Sequence, residues 1–326
     1  MKQTMRAFVA GLVAALIASG CGGTAPQGGQ ALKKVQIGAV MFARDIEYWK
    51  LVEAGMNAAA KKENVQLQVA VSNRNLATES QVVDQLIARG DNVLVISPLD
   101  KNGSKATLQR AVQAGMTVVQ FNTRVDDPSL KYFVGVDNRA LGASSGKFTH
   151  DYIQNTLGGS AKIGIETGGT TPGGPDRQAG FTSAISDLPN AQIIAQAEVH
   201  APDQGANAFQ TMLQAHPDIN VVWCWNGSAL SGSATIAKKI GAKVKLFGVD
   251  MSQDVAADLL DPASPVEAVA DQHAYQIGQT AVEQAIKAAR GEKMSDQVSI
   301  TPVIYSKQNP SLVNQWLNEV KQESAS

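Results

Sequence analysis

The stretch Asn92-Val93-Leu94-Val95-Ile96, bounded by Gly90-Asp91 before it and Ser97-Pro98 after it, decides the fold. It is nearly all apolar, as expected of a strand covered on both faces rather than one with a wet side. Its surroundings supply the cover. Upstream, Val35-Gln36-Ile37-Gly38-Ala39-Val40-Met41 reads as a strand, and Trp49 to Lys62 as a helix with Leu51, Val52, Met56 and Ala59 on one side. Val65 to Val71 is the next strand and Glu79 to Arg89 the next helix. Downstream, Lys105 to Ala114 reads as a helix and Thr117-Val118-Val119-Gln120-Phe121 as a strand. A run of such βαβ units needs a parallel sheet with helices on both faces.

A second series follows. Strands at Ala161 to Ile165, Gln192 to Ala197, Asn220 to Cys224 and Val244 to Gly248 alternate with helices at Arg177 to Ser186, Ala206 to Ala215 and Ala229 to Ile240. Two series of comparable size predict an α/β protein of two doubly wound, Rossmann-like lobes. The joint falls at Val134-Gly135-Val136-Asp137-Asn138, where a strand ends and the helix from Leu141 begins. The expected lobes are residues 34–136 with 273–297, and residues 137–272 with 298–326. Strands cross between them near Val136, Asp271 and Val298, because the chain returns to the first lobe for Ile277 to Arg290.

The first residues carry an address. Lys2 and Arg6 precede an uncharged run from Ala7 to Ala18, which is too short for a spanning helix and ends in Ser19-Gly20-Cys21. The small residues followed by cysteine resemble the lipobox of bacterial lipoproteins. That resemblance implies a signal over residues 1–20, lipidation of Cys21 and a protein anchored outside the cytoplasm; the alternative is a soluble secreted protein. Residues 21–33, rich in glycine and glutamine, read as a flexible tether. Without the first 20 of 326 residues, 306 remain, above the usual size of one hydrophobic core.

Composition narrows the partners. Net charge is -1, the charged fraction is 17%, and there is no basic stripe, so nucleic acid is not expected. Cys224, the only other cysteine, lies in the apolar run Val221 to Trp225 and reads as a small buried hydrophobe. His150, His200, His216 and His273 lack metal-site spacing. Gly168-Gly169-Thr170-Thr171-Pro172-Gly173-Gly174-Pro175 has no Gly-Lys-Ser/Thr after it and reads as a mobile loop rather than a phosphate loop. No enzyme constellation, cofactor or metal is expected.

In open parallel sheets, ligands collect at the carboxyl ends of the strands. Those ends offer Tyr48 and Trp49, which either pack the first helix or present flat faces to a sugar ring. They also offer Asn122-Thr123-Arg124, Arg177, Asn226 after Trp225, Asp250, and Asp271-Gln272. Each polar residue alone could be a cap or turn former. Together they suit a polyol, whose buried hydroxyls need many fixed partners.

With these residues in view, the chain resembles the periplasmic binding proteins for ribose, xylose, arabinose and galactose. The likeness rests on Gly90 to Asp100, Phe133 to Asn138, Arg177-Gln178-Ala179-Gly180-Phe181, His216-Pro217-Asp218 and Phe247-Gly248-Val249-Asp250. It implies a type I periplasmic binding protein fold with a three-strand hinge. It also implies stacking by Tyr48 and Trp49, hydrogen bonds to sugar from Arg177, Asn226, Asp250 and Gln272, and no catalysis. Three positions depart: Ile46 replaces a polar residue, Asn122-Thr123 replaces Asp-Arg or Asp-Asp, and His200 stands where an aromatic stacks. The sugar itself is left open. The implied function is a substrate-binding lipoprotein, a monomer delivering a neutral sugar or polyol to ABC permease subunits by hinge closure. The alternatives are a surface sensor for a receptor kinase or chemoreceptor, and a binder of a sugar-like autoinducer.

Overall fold

The computed structural model describes residues 35–325; the signal, the tether and Cys21 lie outside the described residues. The chain runs through β1 (Gln36–Met41), α1 (Glu47–Lys62), β2 (Gln66–Val71), α2 (Leu76–Arg89), β3 (Val93–Ile96), α3 (Lys105–Gln113), β4 (Thr117–Phe121) and β5 (Tyr132–Gly135). It continues with α4 (Asn138–Thr156), β6 (Ser160–Thr167), α5 (Gly174–Ala184), β7 (Asn190–Glu198), α6 (Pro202–Ala215), β8 (Val221–Cys224), α7 (Gly227–Ile240) and β9 (Lys245–Val249). The last elements are α8 (Gln253–Leu260), β10 (Val266–Asp271), α9 (Ala274–Ala289), β11 (Gln297–Ser299), β12 (Val303–Ser306) and α10 (Pro310–Ala325).

These strands form two sheets of one design. The first has the order β11-β5-β4-β3-β1-β2 and the second β12-β10-β9-β8-β6-β7. β1 of the first thus corresponds to β6 of the second, and β4 to β9. The central strands carry the burial: every residue of β3 and of β8 is inside, as their unbroken apolar runs require. The chain passes between sheets at residues 136–137, 272–273 and 300–302. After the second passage α9 packs beside α1. Gly55 and Gly278 allow that approach, since a Cβ on either would run into the partner helix's backbone at Tyr275 or Val52. In the second sheet Gly142 of α4 and Gly180 of α5 do the same, facing the carbonyls of Arg177 and Arg139.

Within the second core, Trp223 stacks on Phe181 with ring centroids 4.6 Å apart. Its Nε1 donates to Ser145 Oγ at 3.1 Å, and Ser145 in turn donates to the Gly248 carbonyl at 2.9 Å, so the indole is both packed and satisfied. One carboxyl is less well served. Glu166 on β6 is fully buried; its Oε1 accepts from Ser233 Oγ at 2.6 Å while Oε2 has no hydrogen-bond partner. Burial pushes its pKa up to about 8, so it is held as the neutral acid at pH 7.

Several helices begin earlier than the apolar periodicity predicts. The starts are Glu47 rather than Trp49, Leu76 rather than Glu79, Gly174 rather than Arg177, Pro202 rather than Ala206, and Gly227 rather than Ala229. The first turn is set by caps and proline, not by the buried stripe. Asn75 and Asn226 accept from the backbone N–H of Thr78 and Ala229, and Pro175 and Pro202 stand in first turns. Three further elements escape the sequence reading: α8, α10, and β12, which pairs antiparallel with β10 in a sheet otherwise parallel.

Candidate ligand-binding site between the two sheets

A cavity of about 220 Å³ lies where the carboxyl ends of the two sheets face each other. Tyr48, Trp49, Asn122, Thr123, Arg177, His200, Asn226, Asp250 and Gln272, singled out from the sequence, all line it. Phe42, Ile46, Arg74, Thr171, Pro172, Trp225 and Ser228 complete the wall. A wider opening of about 520 Å³ continues outward, sharing Ile46, Tyr48, Asn226, Ser228 and Asp250 with the inner cavity.

The equivalence of β4 and β9 places two side chains in matching positions. Asn122 follows β4 with φ 59° and Asp250 follows β9 with φ 73°, both in the left-handed region. Asn and Asp accept this backbone more readily than other residues with a Cβ, and the strand can therefore stop abruptly with its last side chain at the cavity.

Arg177, Asp250 and Gln272 form a buried polar cluster. Arg177 Nε donates to Asn138 Oδ1 at 2.8 Å, and its Nη1 donates to the Trp225 carbonyl at 3.2 Å and lies 3.6 Å from Asp250 Oδ2. The guanidinium also sits 5.7 Å from the Trp225 ring centroid. Asp250 Oδ1 accepts from Gln272 Nε2 at 2.7 Å and Oδ2 from the Gly227 N–H at 3.2 Å. Asn226 is divided between two tasks: its Oδ1 caps α7 by accepting from the Ala229 N–H at 2.8 Å, which leaves its amide nitrogen for the cavity. Gln272 lies on a segment passing between the sheets, next to Asp271, whose carboxyl burial holds above the usual carboxylate range.

The opposite wall is aromatic. Phe42 stacks on Trp49 at 5.6 Å and 8°, and Tyr48 meets Trp49 edge-on at 4.9 Å. Tyr48 and Trp49 therefore do both things the sequence allows: they are buried in the core and they line the cavity. Tyr48 Oη donates to Asn122 Oδ1 at 3.1 Å, and Asn122 Nδ2 donates to Ser97 Oγ at 3.3 Å. Burial, with the Asp250 charge adding to it, raises the Tyr48 pKa and keeps the phenol neutral.

His200 stands at the rim. Its Nδ1 is 3.2 Å from Thr171 Oγ1, its Nε2 is 3.1 Å from Glu198 Oε1, and its ring is edge-on to Trp225 at 6.4 Å. Both nitrogens thus face protein partners, and Trp225, 5% exposed, is the larger aromatic surface on this side. The 168–173 loop is tied down as well, with the Thr170 N–H donating to Glu198 Oε1 at 2.9 Å. Trp225 was hidden in sequence because it extends the apolar run of β8; its place directly before Asn226 at a strand end is the signal for it. Across the opening, the Gln253 N–H that begins α8 donates to both Glu47 oxygens at 3.0 and 3.1 Å. Among the described residues, no cluster of His, Cys, Asp and Glu is arranged to hold a metal ion, and no helix is long and apolar enough to cross a membrane.

Residues 37–293 match the family described as periplasmic binding protein domain. The ABC transporter periplasmic-binding protein YphF of Escherichia coli is 27% identical over 297 residues, spanning 88% of this chain and 90% of that protein. The ribose import binding protein RbsB of Salmonella typhimurium is 28% identical over 281 residues, 85% of this chain and 93% of that one. Among solved structures, an ABC transporter solute binding protein from Mycobacterium smegmatis with bound glycerol superposes with a TM-score of 0.79 at 29% identity, over 85% of this chain and 96% of that chain.

Proposed function

This chain belongs to the periplasmic binding protein domain family, and we propose that it is the substrate-binding lipoprotein of an ABC importer, taking a monosaccharide or polyol in the cavity between the sheets. The observation that carries the reading is the facing of a fixed polar cluster, Arg177, Asp250 and Gln272, with the aromatic wall of Tyr48 and Trp49 around 220 Å³. A polyol has a C–H face for the wall and hydroxyls for the cluster. Each of the cluster's side chains is already oriented by a protein partner, so little order has to be created on binding.

In this reading the lobes, residues 34–136 with 273–297 and residues 137–272 with 298–326, turn about the crossing segments. A ligand touching both lobes has more contacts when the cleft is shut, and that difference in affinity shifts the population toward closure. The permease reads the closed shape. Tyr48, Trp49, Asn122 and Thr123 act from one side, Arg177, His200, Asn226 and Asp250 from the other, and Gln272 from the hinge. Cys21 carries the lipid that holds the protein to the membrane outside the cytoplasm.

The test is thermal unfolding of the lipid-free protein, refolded from denaturant to strip bound ligand, against aldopentoses, hexoses, pentitols and inositols. A ligand at 100 times its Kd adds about 2.7 kcal/mol, which raises Tm by several degrees. No shift with any neutral polyol would overturn the reading.

A further inference from the structure

We infer that Asn102 is a site of spontaneous deamidation through a succinimide, and that Asp100 sets the rate there by holding the Gly103 N–H. The inference does not depend on what the cavity binds.

Asparagine followed by glycine is the pair most open to this chemistry, because glycine puts no side chain in the way of ring closure. The sequence has two such pairs, Asn102-Gly103 and Asn226-Gly227, and both continue into serine. They occupy corresponding places. The first lies between β3 and α3 and the second between β8 and α7, and β3 and β8 hold the same position in the two sheet orders. In the reaction the glycine nitrogen gives its proton to hydroxide and attacks the asparagine Cγ. That N–C bond forms, the Cγ–Nδ2 bond breaks, and Nδ2 leaves as ammonia with a proton taken from water. A further water opens the five-membered imide at one or other carbonyl, leaving aspartate or isoaspartate. Two things are needed: a Cγ free to reach the nitrogen, and a glycine N–H free to be deprotonated.

At Asn226 both are denied. Its Oδ1 is pinned as a cap to the Ala229 N–H at 2.8 Å, and the Gly227 N–H donates to Asp250 Oδ2 at 3.2 Å, in half-buried surroundings. At Asn102 only the second is denied. The residue is exposed, and among the described residues no hydrogen bond holds its side-chain amide. The Gly103 N–H donates to Asp100 Oδ1 at 2.6 Å, and the N–H of Asn102 itself shares that oxygen at 2.9 Å. These two bonds, that from Gly103 first, hold the Asp100 carboxyl below the usual carboxylate range, so it is an anion at any neutral or alkaline pH. A hydrogen bond to a carboxylate is a strong one, and removing its proton leaves negative nitrogen against negative oxygen. Asp100 is therefore a brake. It is a brake on the surface, where residues 100–103 are all exposed and the bond parts whenever the turn opens locally, without the fold coming apart. Asn226 is freed only by undoing a helix start at the cavity wall. Conversion at residue 102 places a second carboxylate beside Asp100, at the same end of the first sheet as the cavity.

The experiment is incubation of the folded protein at mildly alkaline pH, with peptide mapping by mass spectrometry at successive times. Trypsin is avoided, because Lys101 and Lys105 flank the site too closely. Deamidation is expected at least tenfold faster at Asn102 than at Asn226 in the folded protein, with the two rates within threefold of each other in urea. Asp100→Ala is expected to raise the rate at Asn102 threefold or more and to leave that at Asn226 unchanged. A rate at Asn102 no higher than that at Asn226 in the folded protein would overturn the site. An unaltered rate at Asn102 in Asp100→Ala, or an equal rise at both asparagines from a loosened fold, would overturn the role of Asp100.

Discussion

Asp250→Asn tests the polar cluster with least disturbance to the fold. The residue is 8% exposed and its two carboxylate oxygens accept from Gln272 Nε2 at 2.7 Å and the Gly227 N–H at 3.2 Å. Asparagine keeps the shape, and it tolerates the φ of 73° as aspartate does, so no backbone strain is added. What is lost is the charge. A hydrogen bond to a charged acceptor contributes about 1.5–3 kcal/mol against about 0.5–1.5 for a neutral one, a difference of about 1 kcal/mol per bond. If the carboxylate accepts from two adjacent ligand hydroxyls, binding weakens by about 2 kcal/mol, roughly thirtyfold in Kd. Without ligand, the variant can keep one N–H bond directly and the other after rotation of the Gln272 amide. Asp250→Ala is different: it strands both donors and puts an alanine in the left-handed region, which costs about 1–2 kcal/mol more. Calorimetric titration of both variants with the tightest ligand, and urea unfolding of both without it, separate these effects. A Kd within threefold of the parent for Asp250→Asn would refute the role given to the carboxylate. Equal unfolding midpoints for the two variants would refute the backbone argument.

Glu166→Gln should remove a pH dependence of folding. The carboxyl is raised to about 8 in the folded protein and is ordinary when unfolded, so the unfolded chain releases its proton first, and stability is lost as pH rises from about 4 toward 8. The variant should match the parent near pH 4 and exceed it by a few kcal/mol at pH 8 in urea titrations; coincident curves at both pH values would count against a neutral Glu166. Gly142→Ala forces a methyl group into the Arg177 carbonyl, separating α4 from α5 at an overpacking cost of about 1–3 kcal/mol. It should lower Tm and weaken ligand binding at least tenfold, and unaltered binding would show that Arg177 does not depend on this packing. Tyr48→Phe removes a hydrogen bond worth about 1 kcal/mol and releases the Asn122 carbonyl toward the cavity. A modest fall in Tm is expected in thermal unfolding without ligand, and an unchanged Tm would count against this bond.

Much of the architecture is legible from chain pattern because the buried strands are apolar throughout: β3 and β8 need no tertiary information to be found. Helix starts are less legible. At Pro202 and Gly227 the first turn faces solvent or a cap, so it lacks the apolar stripe that periodicity detects. β12 is four residues long and its burial shows no alternation, which left its antiparallel pairing unreadable. For the site, the rule that ligands gather at strand ends was enough to pick side chains that do converge. It did not show how those side chains are already committed. Asn122 is engaged by Tyr48 and Ser97, 74 and 25 residues away in sequence, and such non-local pairing leaves no local signature. Asn226 reads equally well as a cap or a ligand group, and the geometry commits its oxygen to the cap while its nitrogen has no protein partner.

The contact between Glu47 and the Gln253 N–H sits on the rim of the opening, outside the inner cavity. It joins α1 to α8 without touching whatever the cavity holds, so it is blind to the identity of the cargo. Its influence falls on time. In the proposed hinge-closing cycle, opening the lobes parts this bond, so it adds to the cost of release. On that reading selectivity and dwell time belong to different residues, and a substitution at position 47 would change how long a ligand stays without altering which one is preferred. A strong clasp suits scavenging at low concentration, whereas a weak one suits rapid hand-over.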